Sequence, residues 1–198
     1  MKLSDRLYAT TLGDALAVVD VGRARERVLF ERYLRLLGNN ATVSQQLLFP
    51  ERIELSPADG RLMAEIREEL SSLGFEFSAN GPAGVTAENG PADNKGAGEG
   101  VTYEITGIPP ELPAGMVQDA LHEAIARVRE LGGVPESEKV RDLAAILARR
   151  GASGAAKIDE AAVAPLLDEL ASCNEPAFTP SGRAVLIRIT REELTKRF

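Results

Sequence analysis

The sequence predicts an α+β protein of two lobes, one assembled from both chain ends, residues 1–49 and 180–198, the other, residues 50–179, inserted between them. Three observations point there. Apolar strand-like runs at both ends of the chain lack partners nearby, and the middle carries enough amphipathic helix and strand to close a core of its own. The length of 198 residues, with 44% apolar and 27% charged residues, suits one large domain or two small lobes with modest cores.

Leu7 to Leu12 and Ala15 to Asp20 read as two strands around Gly13-Asp14, the second being the apolar run ALAVV. From Arg23 to Leu37 good helix formers run without a breaker until Gly38-Asn39. Val28, Leu29, Phe30, Tyr33, Leu34, Leu36 and Leu37 spread around more than one face of that helix. A helix apolar on two sides is covered on two sides, which predicts the sheet on one and a partner subunit on the other. Ser44 to Leu55 is extended in character and interrupted by Pro50, which removes a backbone donor. Ser56-Pro57 supplies an N-cap and first-turn pair for a helix striped by Leu62, Ile66, Leu70 and Leu73, with Gly74 just past its end.

Phe75 to Ser78 and Val101 to Thr106 are expected to pair as strands. Between them, residues 81–100, rich in Gly, Pro, Ala and small polar groups, cannot bury enough surface to order themselves and predict a flexible loop. Helices follow at about Met116–Leu131, Ser137–Arg150 and Glu160–Ala171. Val140, Leu143, Ala144 and Leu147 mark the buried face of the middle one, and Pro165 is expected to kink the last or shift its start. A strand at Val185–Ile189 and a short helix from Arg191 close the chain.

Composition excludes several classes. A net charge of −7 is wrong for tight, nonspecific nucleic-acid binding, leaving only weak or local DNA contact. No apolar run reaches the roughly 20 residues that span a bilayer, and the N-terminus lacks the apolar core of a secretion signal, so no membrane partner is expected and the cytoplasm is the default location. Cys173, the only cysteine, cannot form an internal disulfide or a thiolate cluster. His122, the only histidine, falls on the polar side of its helix between Gln118 and Arg129. No phosphate-cradling or dinucleotide glycine fingerprint occurs.

The stretch DVGRARERVLFE, Asp20 to Glu31, carries the carboxylates of interest. Glu26 and Glu31 are five residues apart and rotate away from each other on a helix, so both cannot face one metal. Glu31 precedes Arg35 by four, the favourable orientation for a surface ion pair worth a few tenths of a kcal/mol, which makes Glu31 a structural residue.

Asp20–Tyr33 (DVGRARERVLFERY), Gln45–Phe77 (QQLLFPERIELSPADGRLMAEIREELSSLGFEF) and Cys173–Phe198 (CNEPAFTPSGRAVLIRITREELTKRF), in that order and spacing, resemble the C-terminal domain of the DNA mismatch-repair protein MutL, above all its Bacteroidetes versions. The resemblance implies a homodimerisation lobe built from the chain ends, an inserted regulatory lobe, and a fragment of a longer protein whose N-terminal part is an ATPase. It implies other mismatch-repair proteins as partners. ATP would belong to the absent part, leaving no cofactor in this chain.

Many members of that family nick DNA at a metal site whose signature reads Asp-Gln-His-Ala, two residues, Glu, four residues, Glu. Asp20, Glu26 and Glu31 match it, while Val21, Gly22 and Arg23 replace Gln, His and Ala. The family's Cys-Pro-His-Gly-Arg appears as TPSGR, with Thr179 and Ser181 at the ligand positions and Pro180, Gly182 and Arg183 kept. Zinc or manganese wants about four donors, preferably imidazole or thiolate. Only Asp20 and Glu26 remain to hold either metal, which implies a degenerate endonuclease site, the alternative being a residual metal-dependent nickase. Finally, QQLLFP fits the family's Gln-x-Leu-x-x-Pro peptide that docks on the replication sliding clamp, through Gln45, Leu47 and Pro50. The Gln amide offers donor and acceptor together, Leu47 and Phe49 suit an apolar groove, and Pro50 keeps the backbone extended. Read without the resemblance, the same segment is a strand with Leu47 in its own core.

Overall fold

The structure, a computed structural model, describes residues 1–39, 43–80, 100–132, 135–154 and 159–198. The loop expected at 81–100 lies outside the described residues apart from Gly100. Helices and two antiparallel sheets make the chain α+β. It divides into two compact units, Met1–Tyr33 with Leu147–Phe198, and Leu34–Ile146. The boundaries expected from sequence were 49/50 and 179/180; those observed, 33/34 and 146/147, fall inside helices, where no turn residue punctuates the sequence.

In the unit made from the chain ends, β1 (Leu7–Leu12) and β2 (Ala15–Asp20) form an antiparallel hairpin in which Leu12 pairs with Ala15. That register leaves Gly13-Asp14 as a two-residue turn, and Gly13 takes a φ of +62°. β6 (Leu186–Ile189) pairs antiparallel with the other side of β2, in the order β1-β2-β6. α1 (Val21–Asn39) starts directly from the end of β2, two residues earlier than the apolar pattern suggests. Residues paired across an antiparallel ladder share a face. On one face Tyr8, Val19 and Leu186 pack with Val21, Ala24 and Val28 of α1 and with Val163 and Leu170 of α6 (Glu160–Ala171). Pro165 is accommodated inside α6, which starts as expected with Asp159 at its N-cap.

The opposite face of the sheet carries two rows in register, Ala9–Val18–Ile187 and Thr11–Leu16–Ile189. Ile187 is 53% exposed, and Leu16, Val18 and Ile189 are half-buried. This corrects the expectation that α1 keeps an apolar side for a second copy. Val28, Leu29, Phe30 and Tyr33 are buried within the single chain, and Leu34, Leu36 and Leu37 are half-buried. The apolar face left open belongs to the sheet.

The other unit holds a sheet of order β3-β5-β4, from β3 (Gln45–Leu55), β4 (Glu76–Asn80) and β5 (Val101–Ile108). The helix expected as one piece after Ser56 is two, α2 (Pro57–Glu65) and α3 (Arg67–Ser72), because Ile66 departs from helical geometry at φ −98°, ψ 19°. Its start is as the sequence indicates: the Ser56 hydroxyl accepts the N–H of Asp59. At its end Gly74 has a φ of +102°, and a Cβ there would lie 2.3 Å from the Val43 carbonyl oxygen. α4 (Val117–Glu130) buries Val117, Ala120, Leu121, Ala124, Ile125 and Val128, one stripe at helical spacing. His122 is exposed on its far side. Tyr103 of β5 donates its hydroxyl to the Gly60 carbonyl at 3.0 Å and meets Phe77 edge-on. Of the face that the spacing of α5 (Glu136–Gly154) predicts to be buried, Leu143, Ala144 and Leu147 are buried and Val140 is half-buried. In the unit made from the chain ends, α7 (Arg191–Thr195) opens on a complete capping box between Thr190 and Glu193. No helix among the described residues is long and apolar enough to cross a membrane.

Candidate functional site

The Asp20–Glu31 stretch lies on β2 and α1, and each of its three carboxylates has a separate set of partners. Asp20 closes β2 and caps α1: its Oδ1 accepts the N–H of Gly22 at 3.0 Å and of Arg23 at 3.1 Å. Arg6 Nη2 donates to both of its oxygens, at 3.2 and 3.0 Å, and Arg23 Nε lies 3.5 Å from Oδ2. Gly22, standing where the resembled signature has His, is hemmed in: a Cβ there would lie 3.3 Å from Asp20 Oδ1 and 3.4 Å from Arg6 Nη2.

Glu26, one further turn along α1, is only 5% exposed and accepts Arg183 Nη2 at 2.9 Å. Burial raises its carboxyl above the ordinary value, while the charges of Arg183, Arg149 and Arg23 oppose that rise. Arg183 is delivered by the TPSGR turn. Thr179, buried, donates its N–H to the Arg183 carbonyl at 2.8 Å and accepts the Arg183 N–H on Oγ1 at 3.1 Å. The Thr179 and Ser181 hydroxyls hydrogen-bond each other at 3.0 Å.

Glu31 is buried rather than on the surface, and its guanidinium partner is Arg27, one turn earlier, with Nη2 at 2.7 Å and Nε at 3.0 Å from Oε1. This corrects the expectation that Glu31 lies on the surface. The segment after α6 makes the difference: the N–H groups of Asn174, at 2.9 Å, and Glu175, at 3.3 Å, donate to the carboxylate and cover it. Burial pushes the Glu31 carboxyl up, but those N–H groups and Arg27 outweigh it and hold the group below the ordinary value.

Both oxygens of Asp20 and Oε2 of Glu26 are thus engaged by arginines, and the hydroxyls at the other two ligand positions by their own turn. Among the described residues no group of three or more His, Cys, Asp or Glu is placed to hold a metal ion. The donor set does not fit zinc or manganese, which need about four free donors. Sequence reasoning missed Arg6, Arg27 and Arg183 as partners. Arg27 stands four residues before Glu31 and carries a readable signal, whereas the pairings of Arg6 and Arg183 depend on strand register and a distant turn.

The second candidate lies on β3. Gln45 pairs with Ile108 and Gln46 with Gly107, yet the next pair is Glu51 with Ile105, so Leu47 to Pro50 stand opposite Thr106 alone. These residues bulge from the ladder, with Pro50 offering no N–H to it. Leu48 is 94% and Phe49 84% exposed, while Leu47 is half-buried. At the head of the bulge, Gln46 Nε2 donates to Glu76 Oε2 at 2.6 Å, its strand and that of Glu76 flanking Gly107 of β5.

Residues 3–158 match the family model described as the MutL C terminal dimerisation domain. The chain is similar to the DNA mismatch repair protein MutL of Bacteroides fragilis, 29% identical with 100% of the chain covered. It is similar to those of Parabacteroides distasonis, 30% identical over 98% of the chain, and Pelodictyon phaeoclathratiforme, 30% identical over 100%. In each case the chain spans 29% of the relative's length.

Proposed function

The chain belongs to the MutL C-terminal dimerisation domain family, and from that premise we propose that it joins two copies of a mismatch-repair protein and presents a docking segment to a partner. The unit made from the chain ends serves as the dimerisation lobe and the Leu34–Ile146 unit as the inserted regulatory lobe. The observation that carries the reading is the open face of the β1-β2-β6 sheet. Its centre, Leu16, Val18, Ile187 and Ile189, is apolar on two adjacent strands, the composition of a surface built to be covered. A second copy covers it face to face, since a twofold contact uses the same patch on both sides. Light scattering on the chain at micromolar concentration is expected to give twice the chain mass; a monomer defeats the reading.

The segment Gln45–Pro50 is the partner-docking element, and the partner is the replication sliding clamp. Half-buried Leu47 and exposed Phe49, bulged out of the ladder with exposed Leu48 between them, supply the apolar anchors, and Gln45 and Pro50 frame them. The double variant Gln45→Ala, Pro50→Ala is expected to abolish binding to the cognate clamp with the dimer intact; unchanged affinity removes the proposal.

The Asp20–Glu26–Glu31 signature is read as a degenerate endonuclease site, because each carboxylate already has a guanidinium partner. The competing reading, a residual metal-dependent nickase, requires manganese-stimulated nicking of supercoiled plasmid that disappears in Glu26→Ala. In the longer protein the dimer holds two ATPase arms together and contacts other mismatch-repair proteins, with DNA contact local and weak.

A further inference from the structure

We infer that the guanidinium of Arg183 is the resident counter-cation of Glu26, occupying the role that the family signature gives to a metal ion, so that the site is closed from within the chain. The inference rests on the degenerate reading and goes beyond it by naming what replaces the metal.

A carboxylate that is 5% exposed requires a fixed opposite charge or several donors. For Glu26 the partner is Arg183 Nη2 at 2.9 Å. The turn preceding Arg183 is organised to hold it there. Gly182 takes a φ of +79°, its N–H donates to the Thr179 carbonyl at 2.9 Å, and Thr179 grips Arg183 from both backbone directions. The hydroxyls of Thr179 and Ser181 are spent on that same turn, and Arg23 Nη1 ties the next residue down through the Ala184 carbonyl at 2.8 Å. On the other side, Asp20 is committed to Arg6 and to the first turn of α1, and Gly22 leaves little room for a ligating side chain. A divalent cation approaching Glu26 would meet a fixed positive charge on the same carboxylate, and like charges at that range repel strongly.

The test is a mutational cycle on the full 198-residue chain, read by thermal melting with millimolar Mn2+, Zn2+ or EDTA. The unmodified chain is expected to melt within about 1 °C of the same temperature in all three. Arg183→Ala should lower the midpoint by about 5 °C, and adding Glu26→Gln should recover about half of that loss, since the stranded charge is gone. If Arg183→Ala does not fold, Arg183→Lys and Arg183→Gln bracket the charge: Lys should stay near the parent, Gln should fall. The inference is overturned if Mn2+ or Zn2+ raises the parent midpoint by several degrees and Glu26→Gln removes that rise. It is equally overturned if the Arg183→Ala and Glu26→Gln losses simply add, or if Lys and Gln behave alike. Plasmid nicking would sink the degenerate reading itself, whereas additive losses without nicking sink only the counter-cation.

Discussion

Three acidic residues close in sequence behave as three unrelated groups, and the arginines decide which is which. Glu31 offers the sharpest consequence. Its carboxyl is held below the ordinary value, so its stabilising contribution is complete above the unfolded-state pKa and is lost as pH falls through the folded one. Glu31→Gln is therefore expected to cost about 2 kcal/mol at neutral pH, the worth of hydrogen bonds to a charged acceptor. The gap between variant and parent should narrow as urea titrations move from pH 7 to below about pH 4. A gap that stays constant with pH would show that the carboxyl binds its proton alike in the folded and unfolded chain, so that its charge adds nothing to stability. The spacing of Glu31 to arginines on the helix was legible, but its burial was not, because the N–H groups that cover it belong to Asn174 and Glu175, 143 and 144 residues away.

At the scale of elements, periodicity and punctuation carried most of the fold. The α4 stripe, the Ser56 cap and the Gly13-Asp14 turn are local statements, and local physics is written in adjacent residues. What could not be read was the bulge at Leu47–Pro50, since a ladder's register depends on its partner strand, and the break at Ile66, since nothing in RLMAEIREEL is a helix breaker. The covering of α1 was misjudged for a related reason: an apolar side chain announces that it will be buried, not by what. β5 supplies a further prediction. A Cβ on Gly107 would lie 2.4 Å from Ser44 Oγ and 3.0 Å from Glu76 Cβ and Cδ. Gly107→Ala is expected to destabilise the chain by about 1–3 kcal/mol through overpacking, seen as a lower urea midpoint at unchanged slope. An unchanged midpoint would mean that Ser44 and Glu76 yield freely.

For the molecule as a whole, the open sheet face makes the clearest claim. Ile187→Glu places a charge at the centre of that face on a residue already 53% exposed, so the folded chain should tolerate it while the dimer should not. Weakening of self-association by about 3 kcal/mol, more than a hundredfold, is expected in sedimentation, with the melting curve of the monomer little changed. Equal dimerisation by parent and variant would move the interface elsewhere. The sheet of the other unit ends on β3, whose outer margin would otherwise be a row of unpaired amides ready to template a neighbouring chain. The excursion at Leu47–Pro50 interrupts that row and the proline within it has no amide to offer, so the segment that displays two naked apolar side chains also spoils the straight rim on which cross-β stacking would begin. Straightening it would leave a stickier protein, prone to fibrous precipitation.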